Sequence, residues 1–355
     1  MLTKIILVLM VSFAAAWLAT KLLIRFLRAR GVMDVPNARS SHKVPTPRGG
    51  GVGILAGLAV GLFAAWRLGM PLPRPELLIG AALIALVGMV DDRFGLPVAA
   101  RLVLQVVAAG MVVFRAGGLD PFPLPDPLNF PLGPLGIPLA LIWIVGVTNL
   151  YNFLDGIDGH AGLQGAVAGL GVALLQTADS STILGLALCG ACAGFLLHNW
   201  HPARIFMGDV GSATLGFILA AIPFQTSGHG RSSAVFFVAI FLWFFLSDGV
   251  FTILRRLVRG EKIWEAHRTH LYQRLVIAGL RHDQVVRRVI GGGAVLTALA
   301  LVAERRENPL VQWIVLSGAA AGFLSYLLLT WRQERRAQLG KRVGATSQKL
   351  AVTKT

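Results

Sequence analysis

Apolar residues run along this chain in long blocks, interrupted by short segments where Gly, Pro, Asp and Arg concentrate. A helix needs about 20 apolar residues to cross the hydrocarbon core of a bilayer. On that length scale the blocks predict eleven membrane-spanning helices, at 5–24, 51–66, 76–90, 98–116, 135–154, 160–178, 181–199, 211–226, 234–254, 289–303 and 309–331. The first block opens like a signal peptide, with Lys4 in front and the small residues Ala14–Ala16 inside it. The apolar run nevertheless continues past the alanines and ends in Arg25, Arg28 and Arg30, which predicts a retained span.

Composition narrows the class. Of 355 residues, 55% are hydrophobic and only 14% charged, with a mean hydropathy of +0.68. Ordinary soluble domains run at about 45–50% apolar and about 25% charged. A soluble enzyme, a disordered chain and a disulfide-stapled module are therefore excluded, leaving an all-α integral membrane protein. The two cysteines, Cys189 and Cys192, sit in an apolar run and read as small core residues. The net charge of +16 would suit nucleic acid in a soluble protein; here it reads as loops facing anionic lipid, with no nucleic-acid partner. Segments after odd-numbered spans, together with the C-terminal tail, hold most of the 33 Lys and Arg residues. That bias predicts an external N-terminus and a cytoplasmic C-terminus. Residues 117–138, with seven prolines, read as a rigid segment on the opposite side. The expected organisation is a transmembrane domain over 1–335 with cytoplasmic loops at 25–50, 91–97, 151–160, 200–210 and 255–288, followed by a basic cytoplasmic tail over 336–355 that is expected to be disordered.

The 17 acidic residues carry the chemistry. Asp91 and Asp92 follow the third span. Asp155 and Asp158 follow the fifth, in Asn149-Leu-Tyr-Asn152-Phe-Leu-Asp155-Gly-Ile-Asp158. Asp209 follows the seventh, in Met207-Gly-Asp209-Val-Gly-Ser212, and Asp248 lies within the ninth, ahead of Arg255, Arg256, His267, Arg268 and His270. Taken singly, each piece also reads as an ordinary cap or turn, and His198 and His201 beside Trp200 read as membrane-interface residues. Carboxylates beside a membrane are costly unless paired, hydrated or bound to a cation. Five of them, from three loops on one predicted face, point to one assembled site. Carboxylates and a carboxamide without thiolates suit a hard divalent cation, above all Mg²⁺, with Mn²⁺ as the alternative. Arginines on the same face would neutralise phosphate oxygens. Arg48-Gly-Gly-Gly51 and Gly208-Asp-Val-Gly211 permit close backbone approach. Together these features point to phosphoryl transfer at a membrane surface.

In this order the motifs resemble the polyprenyl-phosphate N-acetylhexosamine-1-phosphate transferases, the family of phospho-MurNAc-pentapeptide transferase and of the enzymes that start O-antigen and teichoic acid synthesis. The segment from Asp34 to Arg48, Asp91-Asp92-Arg93-Phe94, the run from Asn152 to Asp158 and Met207-Gly-Asp209-Val-Gly-Ser212 carry the likeness over about residues 5–330. The resemblance implies transfer of an N-acetylhexosamine 1-phosphate from a UDP-sugar to undecaprenyl phosphate on the cytoplasmic face of the bacterial inner membrane, releasing UMP and starting a cell-surface polysaccharide. It implies that Asn152 and Asp209 hold Mg²⁺, that Asp158 contacts uracil beside Asp155, and that Arg101, Arg268 and His270 contact phosphate or sugar. Lys43 and Arg48 belong to the first loop's substrate contacts. Asp91 and Asp92 match the essential pair, with Asp92 preferred as the base for the lipid phosphate. The lipid bilayer is the working environment, and a homodimer is compatible with the family.

Two departures matter. His270 is followed by Leu271, Tyr272 and Gln273 instead of a histidine-rich run, and Gly95 stands where the peptidoglycan enzyme has a lysine. The second favours a small N-acetylhexosamine and the O-antigen-initiating branch. The rival reading is a polytopic secondary transporter, whose acids would gather near the membrane midplane on repeat-related broken helices.

Overall fold

The computed structural model describes residues 1–36, 44–175, 179–226, 229–262, 267–306 and 308–352, with the side chains of the last helix described through Leu339. Thirteen α-helices make up most of the described structure. The one sheet among the described residues is a two-stranded antiparallel pairing of Met33–Asp34 with Thr46–Pro47.

α1 (Leu2–Ala29), α2 (Gly51–Arg67) and α7 (Asp179–Asn199) form a tightly packed trio. Gly53, Gly57 and Gly61 of α2 recur every four residues and lie over Thr20, Ala16 and Ser12 of α1, which recur at the same spacing in the opposite direction. A methyl group at Gly57 would come within 2.6 Å of the Ala16 Cβ. Small residues at helical spacing let two backbones approach closely where lipid gives no hydrophobic drive to association.

α3 (Pro75–Phe94) and α5 (Gly136–Phe153) pack against α8 (Asp209–Ala221), and α4 (Val98–Ala116) packs against α3 and α5. Every residue of α8 from Val210 to Ala221 is buried. A helix apolar on all sides belongs in the middle of a bundle, so the first residue of α8 marks the point where the loops meet the core.

α6 (His160–Leu174), α9 (His229–Phe241), α10 (Trp243–Val258), α11 (Leu271–Ile277), α12 (His282–Arg306) and α13 (Pro309–Val352) complete the bundle. The sequence predicted one span over 234–254; the structure instead bends it by 79° between α9 and α10. The buried Gln164 of α6 donates to the Phe241 carbonyl at 2.8 Å, satisfying a backbone acceptor at the break. Trp243 donates to the Ala319 carbonyl at 2.7 Å on the far side of it. A side chain inserted into the hydrogen-bond ladder is a recognised cause of such a kink. α13 remains helical to Val352, through the segment from 336 that was expected to be disordered. Gln, Glu, Arg, Ala and Leu dominate its 333–339 stretch, and all are strong helix formers.

Among the described residues, six helices are long and apolar enough to cross a membrane, or seven if the bent pair counts as one span, and three shorter apolar helices stand among them. The chain is an all-α, multi-pass membrane protein. Cys192 is fully buried and Cys189 partly so, both as free thiols in the packed α7.

Candidate active site at the start of the buried helix

Asp92, near the end of α3, caps α8 from another helix. Its Oδ1 accepts the Asp209 N–H at 3.0 Å and its Oδ2 the Val210 N–H at 3.1 Å. The first amide groups of a helix lack internal partners and carry the positive end of its dipole, so a carboxylate is favoured there. Gly208, just before the helix, has φ of +77° and leaves no room for a side chain, since a Cβ would lie 2.6 Å from Asp92 Oδ2. Only glycine adopts this conformation without strain and lets the carboxylate approach.

The first loop is joined to the same point by backbone pairing. Gly50 N–H donates to the Phe206 carbonyl at 2.8 Å, Gly51 N–H to the Met207 carbonyl at 2.8 Å, and Phe206 N–H to the Pro47 carbonyl at 2.8 Å. Arg48 therefore projects over the start of α8, where Nε lies 2.8 Å from Asp92 Oδ1 and Nη2 lies 2.7 Å from Asp209 Oδ1. Arg101 of α4 approaches from the other side, 2.7 Å from Asp91 Oδ2 and 3.6 Å from Asp209 Oδ2. Asp91 also accepts the Leu96 N–H at 2.6 Å, which fixes the tight turn between α3 and α4.

A cavity of about 170 Å³ opens beside these groups, lined by Asp91, Arg101, Gln105, Asn149, Asn152 and Asp209 on its polar side. Gln105 and Asn149 exchange amide hydrogen bonds of 3.3 and 2.6 Å across it. Gln105 carried no sequence signal, because an isolated glutamine in an apolar helix matches no motif.

The structure brings Arg48, Asp91, Asp92, Arg101, Asn152 and Asp209 together in this way. Asp155 sits in the next loop, within electrostatic reach. Burial, then Asp209, Asp92 and Asp158, push its carboxyl well above the ordinary carboxylate range, with Arg48 opposing them. A carboxyl that holds its proton more tightly when folded loses stability as pH rises from the ordinary carboxylate range through the raised value. Asp155→Asn is therefore expected to flatten the fall in melting temperature as pH rises above the ordinary carboxylate range in detergent. An unchanged pH slope would contradict the assignment.

The remaining candidates lie elsewhere. Asp158 is tied to His201 at 2.6 Å and His282 at 3.2 Å, so His201 pairs with a carboxylate as well as standing beside Trp200. His198 bonds the Trp17 carbonyl at 3.1 Å. His270 is buried against Asp248 at 3.2 Å. Asp248 also accepts the Leu271 and Tyr272 N–H groups and the Tyr326 hydroxyl, at 2.9, 3.2 and 3.1 Å. This fully buried carboxylate ties α10, α11 and α13 together. Arg268 is half-buried two residues before His270, and neither lines the cavity. Lys43 lies outside the described residues.

Residues 75–227, which contain the Asp pair, the Asn152–Asp158 segment and Asp209, match the model of "Glycosyl transferase family 4". A "Probable undecaprenyl-phosphate N-acetylglucosaminyl 1-phosphate transferase" of Bacillus subtilis (strain 168) is 30% identical over 308 residues, covering 84% of this chain and 85% of the relative. The chain belongs to glycosyl transferase family 4. A "Decaprenyl-phosphate N-acetylglucosaminephosphotransferase" of Mycobacterium tuberculosis (strain ATCC 25618 / H37Rv) is likewise 30% identical over 304 residues, 74% of each chain. An "Undecaprenyl-phosphate alpha-N-acetylglucosaminyl 1-phosphate transferase" of Yersinia pestis is 28% identical over 356 residues, 96% of this chain and 94% of the relative.

For this family 4 member, the donor set at α8 fits a divalent cation. The groups are carboxylate and carboxamide oxygens with no sulfur among those lining the cavity, the preference of a hard ion. Two guanidiniums on the same carboxylates supply fixed positive charge for an anionic ligand.

Proposed function

We propose that the chain transfers an N-acetylhexosamine 1-phosphate from a UDP-sugar to polyprenyl phosphate, undecaprenyl phosphate in the first instance, and releases UMP. The reaction lies on the cytoplasmic face of the bacterial inner membrane, within eleven spans whose N-terminus is outside, and it starts a cell-surface polysaccharide. The observation that carries this reading is the convergence of three carboxylates and two arginines at the first turn of a buried helix, beside a small cavity lined by Asp91, Arg101, Asn152 and Asp209. The names of the relatives make UDP-GlcNAc the first donor to test. They give no support to a transporter.

An oxygen of the acceptor phosphate attacks the donor phosphorus that bears the sugar. A new P–O–P bond forms, and the bond from that phosphorus to the oxygen of UMP breaks. Asn152 and Asp209 would hold Mg²⁺, or Mn²⁺. That ion supplies charge neutralisation on the diphosphate. Arg48 and Arg101 donate to its oxygens, with paired donors that lysine lacks. A phosphate monoester has its second pKa at about 6, so the nucleophile is already mostly ionised near neutrality. Both Asp92 oxygens are taken up by N–H donors, which makes Asp92 a positioning group in preference to a base. Asp155 and Asp158 serve the nucleotide, and Arg268 and His270 the phosphate or sugar end. The apolar helix faces meet the bilayer that delivers the lipid acceptor, and a homodimer is the assembly to look for.

Protein purified in detergent with undecaprenyl phosphate, Mg²⁺ and UDP-GlcNAc is expected to yield UMP and a lipid diphosphate bearing the sugar, read by mass spectrometry. Chelation should stop turnover and added Mg²⁺ restore it. Failure with every UDP-N-acetylhexosamine offered would overturn the proposal.

A further inference from the structure

The Asp158 carboxylate is held through one oxygen. Oδ2 lies 2.6 Å from His201 Nδ1, 3.2 Å from His282 Nδ1 and 3.2 Å from the Ala203 nitrogen, which donates its N–H. Oδ1 has no hydrogen bond among the described residues. The clamp draws on three separate parts of the chain, because Asp158 precedes α6, His201 and Ala203 follow α7, and His282 opens α12. His282 Nδ1 also lies 3.3 Å from the Asp158 nitrogen, so it holds the same residue either by accepting the backbone N–H when unprotonated or by donating to Oδ2 when it carries the proton. Behind them, Asn199 accepts the Gly159 N–H at 2.9 Å and donates to the Ile205 carbonyl at 2.9 Å, locking the two loops together.

Burial works against the charge on Asp158, but the bonds from His282, His201 and Ala203 outweigh it and hold the carboxyl below its ordinary range. An ionised carboxylate can only accept hydrogen bonds. With one oxygen saturated and the other open, it is set to take one N–H from a ligand. Uracil presents an N–H at N3. Cytosine has a bare acceptor there, which an ionised carboxylate repels.

We infer that His201 and His282 are positioning residues that aim the open oxygen of Asp158 at the nucleobase N–H, and so set the preference for uracil over cytosine in the donor. The inference rests on the nucleotide role proposed above for Asp158. A cation ligated by all three side chains is the competing arrangement, but 2.6 Å between Nδ1 and Oδ2 is a hydrogen-bond distance.

The test uses the full-length protein in detergent and reads UMP and CMP binding by calorimetry alongside turnover of UDP-GlcNAc. His201→Leu should weaken UMP binding roughly tenfold, the loss from a misdirected charge-assisted bond, and bring UMP and CMP affinities closer together. KM for the UDP-sugar should rise while kcat changes little. His201→Asn sets an amide N–H near the former Nδ1 and should recover most of the loss; His282→Leu should behave as His201→Leu. Melting temperature and elution profile separate misfolding from misaiming. An unchanged UMP-over-CMP preference in a folded His201→Leu protein would overturn the inference, as would a stoichiometric metal ion present in the wild type and lost from that variant. UMP binding reads the clamp even if no lipid product forms. Absence of product with an intact UMP preference would remove the proposed reaction alone, whereas normal turnover with an unaltered preference in the variants would remove the clamp alone.

Discussion

Asp209→Asn should lower turnover by at least about 100-fold, the scale of losing one preorganised electrostatic group in a catalytic site, and leave the chain folded. The substitution keeps size and shape. It removes the charge shared by Arg48 at 2.7 Å and Arg101 at 3.6 Å, and with it a metal ligand in a site that has few to lose. Stability should hold, because the change takes one negative charge out of a group of three carboxylates served by two arginines. A raised Mg²⁺ requirement in the residual activity would locate the defect at the ion. Turnover near the wild-type rate with unchanged Mg²⁺ dependence would move the metal to the Asp91–Asp92 pair.

Asp92→Ala is expected to damage both activity and stability. Two amide groups at the start of α8 lose their acceptor, and a buried donor left unpaired costs about 1–3 kcal/mol. Arg48 loses one of its two partners, so Asp209 and the first loop lose their common reference point. A clear fall in melting temperature should accompany the loss of turnover. Asp92→Asn should fall between, since its carbonyl oxygen can serve one amide while its NH₂ faces the other. If Asp92 acted as a base, raising the pH from about 6 to 8 would rescue Asp92→Asn by ionising the acceptor phosphate on its own. A positioning role predicts no such rescue. Rescue with unaltered melting temperature would return Asp92 to the base assignment.

Much of the architecture was legible along the chain because a bilayer demands long apolar helices and tolerates few alternatives. The ends of most helices fall close to the expected blocks. The bend between Phe241 and Trp243 was not legible, because the group that satisfies the free carbonyl is Gln164, far away in sequence. Asp248 illustrates the same limit. From sequence it stood inside a span with no partner in view, whereas in the fold its bonds to α11 and to Tyr326 tie helices together. His201 showed only a tryptophan neighbour, and its carboxylate partner lies 43 residues away.

By itself the sequence determined that this is a helical membrane protein, that its acids and glycines cluster at helix ends in a recurring order, and that oxygen ligands and arginines suit phosphate chemistry. These are properties of residue type and local spacing. Tertiary structure alone decided which acids share a site. Asp92 could be identified as the cap of α8, Arg48 as the bridge to Asp209, and Asp158 as the carboxylate held by two histidines only once distant segments were packed together. The reason is physical. Desolvated charges take whatever donors the fold brings within about 3 Å, and a linear pattern does not carry that distance.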